Sequence, residues 1–428
     1  MTMTATTAPA SDLDPWSLPL ETLDPSDGTL YQRGLLHEYM RRLRREDPVH
    51  WSPTGPTGPY WSVTRFDDIV AIETNHQVFS SDRDITVGDA PADFAPRNFI
   101  AADPPTHDVQ RKSVTPAVAP HRLAELEALI RERTCNVLDS LPRGETFDWV
   151  DRVSIELTTQ FLATLFDFPW EERRLLPYWS DVTTSAENVG NNTIPAEERE
   201  KVLIECLGYF MKLWAERAAQ PPKFDFLSLL AHNPDTRDMI NDPLGFLGNL
   251  MLLIVGGNDT TRNSMSGGVI FMHDNPREFA KLKANPALAA SAVPEIIRYQ
   301  SPVAHMRRTA LEDVEFQGRQ IRKGERVVMW YVSGNRDESV IERPDDSSST
   351  GRGRATTWRS ASASTAAWAT APPSCSCGYC GKRSWGASRG GSRWSASRNG
   401  ASPTSSSASP SCRCASRPDG SRPRRARR

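Results

Sequence analysis

Met251-Leu-Leu-Ile-Val-Gly-Gly-Asn-Asp-Thr-Thr261 is the stretch that decides the fold. An apolar run meets two glycines, then an acid, then two threonines. The pattern around it predicts one helix from about Pro243 to about Asp274. At about 1.5 Å per residue that helix is on the order of 45 Å long, enough to cross a domain. The block Leu252, Leu253, Ile254, Val255 predicts burial nearly all round. Gly256 and Gly257 each cost about 1 kcal/mol against alanine in a helix interior. Close approach of a ligand to the backbone, or a local bulge, would account for keeping them. Asp259 and Thr260 set a carboxylate and a hydroxyl beside that gap. A glycine-softened core helix with a polar turn would carry the same letters, so a second signal is needed.

Pro294-Glu-Ile-Ile-Arg298 supplies it. Glu295 and Arg298 fall at i,i+3 on one helix face and can pair. Ile296 and Ile297 between them, and Ser301-Pro302 ending the helix, favour a buried clamp over an exposed pair. Gly-Gly-x-Asp-Thr-Thr followed by Glu-x-x-Arg resembles the cytochrome P-450 superfamily, the haem-thiolate monooxygenases. The first motif matches the oxygen-activating central helix, the second the helix behind the haem. Upstream, Asp103-Pro-Pro-Thr-His107-Asp-Val-Gln-Arg111 places His107 and Arg111 at i,i+4, where two donors suit a pair of carboxylates. The phrases Gly256 to Ser266, His305-Met-Arg-Arg-Thr-Ala310 and Trp330-Tyr-Val-Ser-Gly-Asn-Arg-Asp337 resemble, more narrowly, the bacterial alkane and fatty-acid terminal hydroxylases. The likeness covers about residues 30–346.

That resemblance implies a mainly α fold with small β-sheets, incomplete at the C-terminus. It implies haem b as cofactor, with His107, Arg111 and Arg308 on its propionates. Thr260 would hydrogen-bond bound dioxygen, Asp259 would help relay protons, and Glu295 and Arg298 would be structural. The implied reaction is hydroxylation of the terminal methyl of medium-chain alkanes or fatty acids, using O2 and two electrons from ferredoxin and ferredoxin reductase.

Along the chain, residues 1–30 read as a loosely packed, flexible arm and 31–346 as the body. Tyr31 to Glu46 is helical, with Arg41-Arg-Leu-Arg-Arg45 as its solvated face. Val49 to Ser52 and Tyr60 to Thr64 form a hairpin. The 80–98 segment is loop of the kind that lines a pocket. Helices follow at His121–Leu141, Asp148–Phe166, Trp170 to about Ser185 and Pro195–Ala218. The last two resemble the pair that roofs the family's substrate cavity. Met306 to Trp330 alternates like strands, turning at Gly318 and Gly324. No apolar run approaches the roughly 20 residues of a membrane span, and Met1 to Ala10 lacks a signal pattern. A cytoplasmic location is expected, with no nucleic-acid partner.

After Asp346 the composition changes. Residues 347–428 hold no Leu, Ile, Val, Phe, Met, Glu, Gln or His, but 15 Lys+Arg and one acid. The net charge of −2 therefore splits into −16 before this boundary and +14 after it. Such a tail cannot bury a core and reads as disordered. The family's Phe-x-x-Gly-x-x-x-Cys-x-Gly haem-ligand motif is expected here, yet none of Cys375, Cys377, Cys380, Cys412 or Cys414 has glycine two residues on. No metal site is assigned to Cys375-x-Cys-x-x-Cys380.

The genetic code accounts for the change. With four-fold-box codons for Ser and Arg, displacing the frame by one base over Thr356 to Ala369 permits His-His-Leu-Ala-Phe-Gly-Phe-Gly-Val-His-Arg-Cys-Val-Gly. That is the missing motif, with its cysteine over the slot of Ala367. A one-base frame change between Asp346 and Ser347, natural or introduced on sequencing, is the reading adopted. Two functions from different classes follow: a monooxygenase whose C-terminus is out of frame, or a non-catalytic truncated remnant that at most binds apolar ligands.

Overall fold

The helix Pro243–Asp274 organises the structure, with the bounds its sequence pattern predicts. The Asp242 carboxylate accepts from the Gly245 amide at 3.1 Å, capping the first turn. Pro243 follows at the helix start, where its missing N–H is not needed. Helices Glu156–Phe166, Leu175–Thr184 and Ala289–Gln300 pack along it. Its apolar half joins the largest core with Phe166, Trp179, Phe210, Phe246 and Ile254. This computed structural model describes residues 14–54, 58–82, 84–89, 96–185 and 194–346, and the backbone of 393–396 and 412–415.

Two expectations for this helix are corrected. It is not buried all round: Leu253 and Ile254 are buried, but Leu252 and Val255 are only half-buried. Nor does it bulge at Gly256-Gly257, because the α-helix runs through unbroken. Close backbone approach is real at other glycines of the same helix. A Cβ at Gly248 would lie 2.0 Å from the Arg97 carbonyl oxygen, and one at Gly267 2.3 Å from the Gln300 side-chain oxygen.

The strands are β1 (Val49–Ser52), β2 (Tyr60–Val63), β3 (Phe79–Ser80), β4 (Thr146–Asp148), β5 (Met306–Ala310), β6 (Val314–Phe316), β7 (Arg319–Ile321), β8 (Arg326–Met329), β9 (Arg393–Ala396) and β10 (Cys412–Ala415). One sheet has the order β1-β2-β8-β5-β3, with β2 and β8 parallel. It covers two smaller cores, one around Leu43, Tyr60 and Trp330 and one around Val63, Phe79 and Met329. β6 and β7 form a hairpin whose two turn residues, Gln317 (φ 48°) and Gly318 (φ 73°), both have positive φ, as a type I′ turn requires. The fold is mainly α with small sheets.

Four further differences have physical causes. Residues 14–30, read as part of a loose arm, are held to the body: Leu23 and Leu30 are buried, and the Asp24 carboxylate accepts from the Tyr60 hydroxyl at 2.5 Å. The Arg41–Arg45 run is not a solvated face, for Arg42 and Arg44 are buried. Arg44 donates to Glu338 at 3.0 Å, Arg41 to Asp345 at 2.6 Å, and Arg42 to the Leu18 carbonyl at 2.7 Å. Charges spaced along a helix look like a solvated face until acceptors distant in the chain, 24 residues for Arg42 and 304 for Arg41, fold onto them. The expected 148–166 helix opens with a π-helical turn, Val150–Ile155, before Glu156–Phe166 continues as α. Lastly, β10 pairs with β4 and β9 with β10, although they fall in the stretch read as disordered. Strand pairing uses backbone groups, which composition does not report. The rest of 347–428 lies outside the described residues.

Candidate active site

Asp259 has no exposed surface. Its Oδ1 accepts from Arg262 Nη2 at 2.7 Å, Ser180 Oγ at 3.2 Å and Asn258 Nδ2 at 3.2 Å. A buried carboxylate needs such partners, since an isolated buried charge costs far more than any one contact returns. Arg262 gives its other terminal nitrogen to Asp181 Oδ1 at 2.9 Å. The Asp181 side chain is 46% exposed, so one guanidinium joins a carboxylate inside the protein to one at its surface. Asn258 is held in turn by Thr158 Oγ1 at 2.8 Å.

The Thr260 hydroxyl donates to the Gly256 carbonyl at 2.7 Å, one turn back on the same helix. With its proton so committed, the oxygen presents lone pairs and acts outward as an acceptor. Leu252, Gly256 and Thr260 share one helix face at i,i+4 spacing. Together with Val255 they form a half-open stripe, beside buried Leu253, Ile254, Gly257, Asn258 and Asp259. That stripe is two apolar side chains, a bare glycine and one hydroxyl, with no charge.

His107 and Arg111 lie on the helix Thr106–Val114. His107 Nδ1 is 2.8 Å from Asp108 Oδ1, and its ring centroid is 6.3 Å from that of Phe99. The Arg111 guanidinium is half-buried, and burial lowers its pKa against the opposing pull of Asp108. No hydrogen-bonded acid meets it among the described residues. Arg308, on β5, donates to Glu73 Oε1 at 3.3 Å and to the Arg307 carbonyl at 2.9 Å. Tyr331 bonds the same Glu73 oxygen. Glu295 and Arg298 form a buried two-point pair, 2.9 and 2.8 Å, and Arg298 Nη1 also donates to the carbonyls of Asn335 (2.7 Å) and Pro344 (3.0 Å).

Sequence reading found Asp259 and Thr260 but missed Ser180, Asp181 and Arg262. Arg262 stands three residues after Asp259, so its i,i+3 spacing was available. Ser180 and Asp181 come from another helix and carry no local signal.

This geometry sits in a chain that matches known proteins. The family model described as Cytochrome P450 matches residues 197–346. Linalool 8-monooxygenase of Pseudomonas putida is 35% identical over 343 residues, which is 76% of this chain and 82% of the relative. Among solved structures, cytochrome P450-153 from Novosphingobium aromaticivorans has a TM-score of 0.80 at 36% identity, covering 94% of this chain and 99% of that one. CYP153D17 from Sphingomonas sp. PAMC 26605 has a TM-score of 0.83 at 39% identity, covering 92% and 98%. The chain belongs to the cytochrome P450 family. Its relatives are oxidoreductases named as monooxygenases, and the family's cofactor is haem.

The described residues fit that cofactor only in part. A partly desolvated Arg111 with no carboxylate partner suits an anionic propionate. Arg308 and His107 already face acids. Two cysteines have described side chains, Cys135 and Cys206, and neither lies beside these residues. Cys206 is fully buried in the largest core, where burial, then the Glu205 charge, pushes its thiol pKa well up. Cys135 lies on the helix Pro120–Asp139, which bears none of the site residues. Ala367, the expected slot, lies outside the described residues, as do Cys375, Cys377 and Cys380. No described group of His, Cys, Asp and Glu is arranged to hold a metal, and no described helix is long and apolar enough to cross a membrane.

Proposed function

We propose that the gene encodes a monooxygenase that converts the terminal methyl of a medium-chain alkane or fatty acid to an alcohol. The reaction consumes O2, two electrons and two protons, and releases water. The half-open stripe Leu252, Val255, Gly256, Thr260 carries this reading: uncharged and mostly apolar, it suits a linear apolar chain whose end reaches the Thr260 hydroxyl. The motif wording supports the same substrate class.

In this reading residues 31–346 form the cytochrome P450 domain and residues 347–428 are read out of frame. Haem bound through a thiolate supplies oxygen activation, and the thiolate's electron donation is a specific requirement. The chain's own residues do the rest. His107, Arg111 and Arg308 hold propionates, Arg308 by sharing its guanidinium with Glu73. Thr260 accepts a hydrogen bond beside the reacting end, and Asp259 passes protons inward, held in place by Arg262. A ferredoxin with its reductase supplies electrons, in the cytoplasm.

The test uses a frame-restored chain with such donors. Terminal alcohols from medium-chain alkanes or fatty acids are expected. Turnover of steroids in preference to linear chains overturns the substrate class. For the chain as read, a tail without the Phe-x-x-Gly-x-x-x-Cys-x-Gly motif favours the second reading, a remnant that binds apolar ligands without turnover.

A further inference from the structure

The helix Ala196–Ala218 has two apolar faces. One turns inward, and Leu203, Cys206, Phe210 and Leu213 are buried in the largest core. The other turns outward. Lys201, Ile204, Gly208, Met211, Ala215 and Ala218 are all exposed, at alternating steps of three and four residues. Such steps keep residues on one seam of a helix, and they are the spacing by which two helices pack as a coiled coil. Ile204 is 51% and Met211 40% exposed. A single exposed apolar residue is ordinary on a protein surface. Two of them on one seam, with only small residues between and just beyond them, make a patch.

Gly208 lies in the middle of that seam. Inside a helix glycine is less favourable than alanine. At Gly248 and Gly267 a Cβ would collide with a neighbour, which accounts for the glycine. At Gly208 a Cβ would meet nothing within 4 Å among the described residues. Close approach of a helix from outside would account for it. An antiparallel second copy of the same helix fits. In the register that sets Met211 on the partner's Gly208, Ile204 falls on the partner's Ala215 and Lys201 on the partner's Ala218. The two-fold axis repeats each layer, and every layer sets a larger side chain on a smaller one. Glu205 and Lys212 follow Ile204 and Met211 on one flank of the seam, and both are exposed. Across the axis Glu205 comes beside the partner's Lys212, about 3 Å apart in rise, and Lys212 beside the partner's Glu205. A parallel pairing would instead stack Lys201 on Lys201, setting like charges together.

We propose that the outer face of the helix Ala196–Ala218 is a self-association surface, on which a second copy of this chain docks antiparallel through the Met211–Gly208 and Ile204–Ala215 layers. The crossed Glu205–Lys212 pairs fix the direction and register. Every residue involved precedes Asp346, so the surface depends neither on the frame of the tail nor on the substrate.

Sedimentation velocity of the full-length chain, in either frame, tests it at about 1 to 100 µM protein, the range in which a small interface is populated. A monomer–dimer equilibrium is expected. Met211→Glu buries a charge in the central layers and should weaken dimerisation by more than about tenfold. Its melting curve should match that of the parent at a concentration where both are monomers, because the side chain is exposed there. Glu205→Lys and Lys212→Glu should each weaken the dimer, and the two together should restore it with the signs exchanged. A parent that stays monomeric throughout the range overturns the proposal. If residues of the same chain cover the seam, the parent is monomeric and Met211→Glu lowers its melting temperature instead. A dimer that Met211→Glu leaves intact uses another face, which also overturns it. A dimer that the double exchange fails to restore overturns the antiparallel register.

Discussion

Asp259 and Thr260 are adjacent but differently held, so they fail differently. Asp259 is fixed by three donors, of which only Arg262 is charged. In the frame-restored chain, Asp259→Asn removes the carboxylate proposed to gain and lose a proton. Turnover should fall on the order of 10²-fold, as for loss of a general acid–base, with a larger solvent isotope effect. An unchanged rate and isotope effect would remove Asp259 from the proton path. Thr260→Ala removes an acceptor that Gly256 has oriented. Its expected signature is uncoupling: oxygen is still consumed while alcohol formed per O2 drops. Coupling equal to the parent would show that the hydroxyl serves only the helix.

At the scale of elements, the segment before the composition break is fastened by arginines. Arg298 reaches the carbonyls of Asn335 and Pro344, while Arg41 and Arg336 hold Asp345 and Arg44 holds Glu338. Arg298→Ala removes the guanidinium that pairs with buried Glu295, and breaking a buried pair costs about 3–5 kcal/mol. Measured by urea unfolding of the frame-restored chain, the loss should be a large share of a total near 5–15 kcal/mol. A change under about 1 kcal/mol, the worth of an exposed pair, would contradict the buried clamp. Acid should loosen the same segment. Burial draws the Glu338 and Asp345 carboxyls upward. For Glu338, its own backbone amide and Arg44 outweigh burial; for Asp345, Arg41 and Arg336 do, so both pKa values end below the usual range. A depressed folded-state pKa stabilises the fold above the unfolded value, about 4 for a carboxyl. That contribution is lost as pH falls through the folded pKa. Hydrogen exchange in residues 336–346 should therefore accelerate below about pH 4 in advance of global unfolding, and Arg44→Gln should abolish part of this dependence.

For the whole molecule, the body keeps the central helix and the peripheral arginines, while the tail lacks the Phe-x-x-Gly-x-x-x-Cys-x-Gly motif. Each large side chain that an out-of-frame tail leaves uncovered would forfeit about 1.5–3 kcal/mol, so a few such losses compare with the whole stability. The chain as read should be poorly soluble and give no thiolate-type Soret band in its reduced, carbon-monoxide-bound form. Restoring the frame after Asp346 should recover solubility and the band together. Such a band from the unrestored chain would mean that one of the tail's own cysteines serves, and the reading of the tail would fall.

The sequence alone determined the central helix to its end residues, the Glu295–Arg298 pair and the break after Asp346. These are local facts: helical period, i,i+3 spacing and composition are written in neighbouring residues. Only the tertiary structure decided that Arg42 and Arg44 are buried, that Asp181 and Ser180 join Asp259, and that β4 receives β10. Each depends on a partner distant in sequence, and a charge or a strand edge looks the same along the chain whether water or protein meets it. The open stripe through Leu252, Gly256 and Thr260 belongs to the second group. An apolar run predicts burial, and only the packing of neighbouring helices chooses which face stays open.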